Sequence, residues 1–285
     1  MSLTHAETLL TPLGRAMADY VDMSAAKRRT AVRSARRAFT TYRTGFGLGC
    51  APTWVLTRPE SQVKIGKSEV PTLTLMLTPA TSLHAYGLVK VNACPAATSC
   101  ADVCLAGSGK GELEATQRAR ICRHMFTLAH PYHMGILLAR DLISFLALNP
   151  EGIGFRFNCV SDYRIERIMP EVIRRYSRLG VTWYDYTAYS PRLRDDLDGT
   201  YDITYSAKET HGPEYVASVL GGGFNVALPF AVGRGGALPS TWHGMPVIDG
   251  DKSDFRPGDA RGVIVGLRAK GRAWRSDTSG FFRVA

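Results

Sequence analysis

The sequence lacks what would place it in a membrane or outside a cell. No apolar run reaches the roughly 20 residues that a bilayer span needs, and the longest, residues 135–148, is interrupted by Arg140 and Asp141. Thr4, His5 and Glu7 stand where an export signal wants a basic segment and then an apolar one, so export is not expected. Cysteine is scarce: six in 285 residues are too few for a disulfide scaffold, which leaves them as thiols in a cytoplasmic protein. Acid is missing altogether from residues 27–43. What is present suits an ordinary globular chain: the 45% hydrophobic residues, with aromatics spread along the length, are enough for one large core or two modest ones.

Lys and Arg outnumber Asp and Glu by 35 to 25, a formal net charge of +10, which favours polyanionic partners such as DNA or RNA. Residues 1–45 hold eight of these cations against Glu7, Asp19 and Asp22. On a helix, Arg29, Arg33, Arg36 and Arg37 recur at three- and four-residue spacing and line one face, where they could meet successive phosphates or simply be solvated. A second basic set, Arg268, Lys270, Arg272 and Arg275, follows the last apolar run.

Hydrophobic patterning divides the chain in two. Leu9, Leu10, Leu13, Met17 and Tyr20, followed by the basic run, predict a basic helical extension over residues 1–50 that reads as an appendage. Residues 51–285 form the expected catalytic domain. In it, strands are predicted at 71–77, 87–91, 155–160, 182–186, 202–205, 224–230, 247–248 and 263–267. Helices are expected over 112–148, with a break at His130-Pro131, and at 165–179 and 213–220. Strands alternating with helices predict an α/β fold built of parallel units. A (β/α) barrel or partial barrel, TIM-like or radical-SAM-like, is the first expectation, with a doubly wound open sheet behind it.

In such folds the catalytic groups gather where strands end. The predicted strand ends carry Asn158, Ser161 and Ser206 as candidate cofactor-binding residues, and Asp162, Asp185, Lys208, Glu209, Asp249 and Asp251 as candidate catalytic ones. Asp162 also suits a helix N-cap. Asp185 sits inside the aromatic strand Trp183-Tyr184-Asp185-Tyr186-Thr187, where a buried carboxylate needs a partner or a task. Asp249, Asp251 and Asp254 lie close enough in sequence to share a divalent cation, to pair with Lys252 and Arg256, or to cement a turn.

Cys94, Cys100 and Cys104 have the spacing C-x5-C-x3-C. Thiolates are soft ligands, and a loop of this length can fold three of them around a zinc ion or around one [4Fe–4S] cluster. Zinc would need a fourth ligand from Cys122, His124, His130 or His133. A cluster held by three cysteines leaves its fourth iron open to a small molecule. The Gly-rich stretch 107–111 could offer backbone amides to an anion or serve as a turn. Three cysteines after an early strand resemble the layout of radical S-adenosylmethionine enzymes, although the spacing departs from their C-x3-C-x2-C. That resemblance implies a [4Fe–4S] cluster with S-adenosylmethionine as a possible cofactor.

A wider set of residues resembles the gene product 88 proteins of phages and prophages. It comprises C-P-x4-C-x3-C-L at 94–105, Arg118-Ala119-Arg120, Asn158 with Ser161-Asp162, Tyr184-Asp185-Tyr186-Thr187, Thr204-Tyr205-Ser206 with Glu209, Asn225-Val226-Ala227, Ile248-Asp249-Gly250-Asp251 with Asp254 and Arg256, and Gly266-Leu267-Arg268-Ala269-Lys270-Gly271. The resemblance implies a phage or prophage protein in the host cytoplasm and brings no settled activity. Three functions are therefore weighed. The first is an iron–sulfur enzyme modifying nucleic acid or a nucleotide precursor. The second is a zinc-containing base-exchange enzyme resembling the tRNA-guanine transglycosylases, with Asp162 or Asp185 as nucleophile. The third is a metal-stapled DNA-binding protein without catalysis.

Overall fold

The computed structural model describes residues 2–61, 66, 68–104, 106, 109–270 and 277–284. Thr4 and Glu7 start the first helix reciprocally: the Thr4 hydroxyl accepts the Glu7 N–H at 3.2 Å while the Glu7 carboxylate accepts the Thr4 N–H at 2.8 Å. Helix α1 (His5–Asp22) then buries Leu10, Leu13, Ala16 and Met17 completely. A break at Met23 separates it from α2 (Ala25–Thr44), which Ser24 caps.

The central sheet has eight strands: β1 (Thr72–Thr74), β2 (Ile153–Arg156), β3 (Val181–Thr187), β4 (Tyr201–Ser206), β5 (Asn225–Phe230), β6 (Thr241–Trp242), β7 (Met245–Asp249) and β8 (Ile264–Arg268). Their order is β1-β2-β3-β4-β5-β8-β7-β6, parallel throughout except for the β6–β7 hairpin. Between β1 and β2 run α3 (Glu114–Ala129) and α4 (Pro131–Leu148); α5 (Ile165–Ile168) and α6 (Pro170–Arg178) precede β3, and α7 (Pro213–Gly221) precedes β5. The expected α/β class holds. From β1 to β5 the order never reverses, so these strands are singly wound, and the doubly wound alternative is not their arrangement. Among the described residues no pairing joins the β1 edge to the β6 edge, and the sheet stays open.

Both faces of the middle strands are covered, as a parallel sheet requires. On one face Phe155 packs edge-on to Trp183 at 4.9 Å between ring centroids, and Trp183 meets Tyr176 of α6 at 6.5 Å. On the other, Phe255 from the β7–β8 connection lies 5.4 Å from the Tyr184 ring. It sits so near Gly154 that a Cβ there would come within 3.2 Å of it.

The expected strand at 87–91 does not form. The chain turns instead through a single 3-10 turn at His84–Tyr86, closed by Gly87 at φ 82°, and Leu83 and Val91 are buried as loop anchors. Its apolar residues serve packing without a ladder. Pro170 splits the helix expected at 165–179, because it cannot supply the N–H that would continue α5.

The N-terminal extension is helical and basic as expected, but its first helix packs into the domain. A Cβ on Gly135 of α4 would collide with the Leu13 carbonyl, and one on Gly14 would come within 2.6 Å of the Met169 Cβ, so both glycines allow close approach. Glu7 also takes a two-pronged bond from the fully buried Arg164 guanidinium, with Nε at 2.9 Å and Nη2 at 2.6 Å. Burial alone would push the Glu7 carboxyl up, but Arg164 holds it below the usual range. No helix of the described residues is long and apolar enough to cross a membrane.

Candidate functional site

Of the strand-end acids, Asp162 and Asp185 come together, linked through Arg194 and the Tyr201 hydroxyl. Asp162 accepts from the Thr187 hydroxyl at 2.7 Å, from Arg194 Nη1 at 3.0 Å and from the Ala188 N–H at 2.8 Å. Arg194 reaches on to Glu166 at 3.0 Å. Asp185 accepts from the Asn158 N–H at 2.8 Å and from the Tyr201 hydroxyl at 2.7 Å. The Asn158 side-chain Oδ1 in turn accepts from the Ser161 hydroxyl and from the Tyr163 N–H. Asn158, Ser161, Asp162 and Asp185 thus form one buried polar network beneath the ends of β2–β4. Burial pushes the Asp185 carboxyl up to about 7 and raises that of Asp162, against the pull of the neighbouring arginines. Asp162 does not cap a helix: Arg164 occupies the N-cap position of α5, without a side-chain bond.

Above this network lies a cavity of about 550 Å³, at the C-terminal ends of β2, β3, β4, β5 and β8. Such crevices are where ligands of open parallel sheets bind. Cys94, Cys100 and Cys104 all line it. Their loop is locally folded: the Cys94 N–H donates to Asn92 at 2.9 Å, Ser99–Ala101 forms a 3-10 turn, and the Asp162 N–H donates to the Ala93 carbonyl at 2.7 Å. Thr98 of the same loop donates to Glu209, just past β4, at 2.8 Å. Burial pushes the Cys94 thiol up to about 12 and raises those of Cys100 and Cys104; Cys94 is raised further by the other two sulfurs. Among the described residues no three Cys, His, Asp or Glu side chains already surround a common point as metal ligands would.

The four candidates for completing a zinc site are elsewhere. Cys122 is fully buried on α3, and His124 is fixed between the Thr78 hydroxyl and the Tyr163 hydroxyl, each at 2.7 Å from a ring nitrogen. His130 contacts the rings of Tyr42, Phe126 and His133 at the α3–α4 junction. None of the four lines the cavity, whereas Cys159, just past β2, does. The acids near β7 pair with different cations from those expected: Arg268 Nη1 lies 2.8 Å from Asp249 and 3.4 Å from Asp251, and Lys270 lies 3.3 Å from Asp251. Lys208 is half-buried, and its carbonyl accepts from Arg283.

The basic face of α2 is only partly free for phosphates. Arg29, Arg33 and Arg37 are exposed, but Arg36 departs from the expectation, because its guanidinium donates to the carbonyls of Ala51, Pro52 and Thr53 at 3.1–3.2 Å and holds the loop after α2. Arg268 and Lys270 line the cavity, while Arg272, Arg275, Gly107 and Ser108 lie outside the described residues.

Sequence reasoning misses two wall residues. Arg156 ends β2 as the one charge in the apolar run 153–157, a signal masked by the neighbouring Asn158. Cys159 stands alone in sequence, with nothing nearby to mark it as part of a cluster.

With that geometry in view, a family model described as gene product 88 matches residues 54–285. The chain belongs to the gene product 88 family. The match takes in the cysteine loop, every strand of the sheet and the whole cavity wall, and leaves α1 and α2 outside it. No curated protein and no solved structure matches this gene product 88 chain.

Proposed function

We propose that this phage-type protein is an iron–sulfur enzyme of the host cytoplasm that modifies nucleic acid or a nucleotide precursor. The singly wound β1–β5 then serve as the wall of a partial barrel. One observation carries the reading: three cysteines of a single loop line the same cavity as the C-terminal ends of five parallel strands. The donor set fits, because three thiols are the soft ligands a [4Fe–4S] cluster takes. Cys94 also receives an N–H from Ala80 at 3.4 Å, a contact that steadies a sulfur bearing negative charge. When bound, such a cluster supplies one-electron chemistry at an iron open to a small molecule, S-adenosylmethionine being the candidate.

The chain's own residues hold and orient. Asp162 ties the cysteine loop to β3 through its backbone N–H and its carboxylate, and Glu209 ties it to β4. The carboxylates of Asp162 and Asp185 are committed to this frame, so no nucleophilic step is assigned to them. Arg29, Arg33 and Arg37 offer exposed charge to a polyanion. A zinc site is the second reading, favoured by the fourth thiol that Cys159 brings to the cavity.

Preparation without oxygen, with iron and sulfide supplied, tests the reading. The expected product is brown, holds iron and acid-labile sulfide in equal amounts, and bleaches on reduction. Colourless protein that retains no iron overturns it, and protein that takes up zinc in preference selects the second reading.

A further inference from the structure

Segment 277–284 follows the last strand and returns to the sheet at β5. It is folded on itself: the Asp277 carboxylate accepts the Ser279 N–H and the Phe282 N–H, each at 3.0 Å, and the Ser279 hydroxyl accepts the Phe281 N–H at 3.1 Å. Phe281 and Phe282 are half-buried with ring centroids 5.3 Å apart, and both line the cavity, as do Ser206 and Pro229 at the ends of β4 and β5.

Its attachment is narrow. On the side of β5 that faces β4, the last bond runs from the Ala207 N–H to the Ala227 carbonyl at 2.9 Å, and Pro229 has no N–H to offer a continuing neighbour. One residue fills the slot beyond: the Arg283 N–H donates to the Pro229 carbonyl at 2.8 Å, and the Ala231 N–H donates to the Arg283 carbonyl at 2.7 Å. The Arg283 guanidinium then donates to the carbonyls of Lys208 and His211, in the connection between β4 and α7. Among the described residues, every hydrogen bond that joins 277–284 to the domain belongs to Arg283, and Val284 beyond it is 84% exposed. The same connection holds the cysteine loop, through Glu209 and Thr98.

A segment fixed through one residue opens locally at far lower cost than the sheet it touches, because few bonds break and only two half-buried rings lose contacts. Closure of such a segment shuts water away from reacting groups and commits a bound ligand. We infer that 277–284 is a strap that gates the cavity, latched by Arg283 and carrying Phe281 and Phe282 as its seal. The inference concerns access alone and stands whether or not a metal binds at the cysteines.

Two measurements on the full-length, reduced, metal-free protein test it. In amide hydrogen exchange, one opening frees the Arg283 and Ala231 N–H groups together, so both should show the same protection, at least about tenfold below that of Val226 and Leu228 inside β5. Unequal protection, or protection as high as within β5, overturns the strap. In alkylation with N-ethylmaleimide, followed cysteine by cysteine, Arg283→Met is expected to react about tenfold faster than the parent at Cys94, Cys100 and Cys104, the effect of the hydrogen bonds lost from the closed state. The double variant Phe281→Ala, Phe282→Ala should do the same. The exposed Cys50 should react alike in all three proteins, and the fully buried Cys122 should stay slow. Loop cysteines that react no faster in either variant overturn the gating. Should Cys122 speed up as well, the variant has loosened as a whole, and exchange in the parent decides. Because neither readout involves iron, failure here is separable from failure of the cluster reading.

Discussion

Two polar regions meet at the ends of β2–β4, and they differ in where their hydrogen bonds go. In the lower one, Asp162, Asp185, Asn158 and Arg194 bond to one another and to nearby backbone, and every carboxylate there has named donors. In the upper one, three thiols with few partners of their own line a cavity that Asn158, Ser161 and Asp162 of the lower network also border. A hydrogen-bonded buried network fixes geometry, whereas thiols with few partners at a cavity are free to meet what enters it.

The largest effect should come from breaking the lower network. Arg194→Met leaves Asp162 and Glu166 buried without their cation, and urea unfolding should show a loss of about 3–5 kcal/mol. A loss below about 1 kcal/mol would mean that these acids are not structural.

Asp185 sharpens the contrast through pH. Its folded-state pKa, about 7, lies above the ordinary value of 3.8, so the folded protein keeps a proton that the unfolded chain releases. Its contribution to stability should therefore fall as pH rises from about 4 to about 7 and stay low above that, by a few kcal/mol in all. Asp185→Asn should remove this slope. The check is the difference in unfolding free energy between variant and parent across that range, which should move steadily in the variant's favour; a flat difference would contradict the burial argument.

Gly135→Ala tests whether α1 belongs to the same rigid frame. Forcing α4 away from the Leu13 carbonyl should cost about 1–3 kcal/mol, seen as a lower urea midpoint, whereas a loose appendage would show no change. The smallest effect on stability, near zero, is expected for the exposed triple variant Arg29→Gln, Arg33→Gln, Arg37→Gln. Its readout is the salt dependence of nucleic-acid binding, whose slope should shrink by about 0.9 for each phosphate that the missing guanidinium groups no longer neutralise. An unchanged slope would remove α2 from the proposed interface.

Much of this is legible from residue pattern. Short β-rich runs between Pro- and Gly-bounded helices mark β2–β5 and β8, because the alternation of parallel units is written in local sequence. The run at 87–91 misleads because an apolar loop anchor and a buried strand have the same composition; only a neighbouring ladder separates them. The packing of α1 is hidden because contacts such as Glu7 with Arg164 span most of the chain. Arg36 and Arg37 are neighbours in one basic run, yet one holds a loop and the other faces solvent, a difference set by where α2 sits. Cys159 reaches the site for a similar reason, since the end of β2 is brought to the cysteine loop by pairing with β1.

The most direct measurement is the iron bound per chain by six single cysteine-to-serine variants, each prepared anaerobically beside the parent. Cys94→Ser, Cys100→Ser and Cys104→Ser should lose most of their iron and visible colour, while Cys50→Ser and Cys122→Ser, which alter an exposed residue and a helix core, should retain both. Cys159→Ser should also retain iron if three thiols suffice. Equal iron in all six, or none in the parent, would contradict a cluster held by the loop at the cavity.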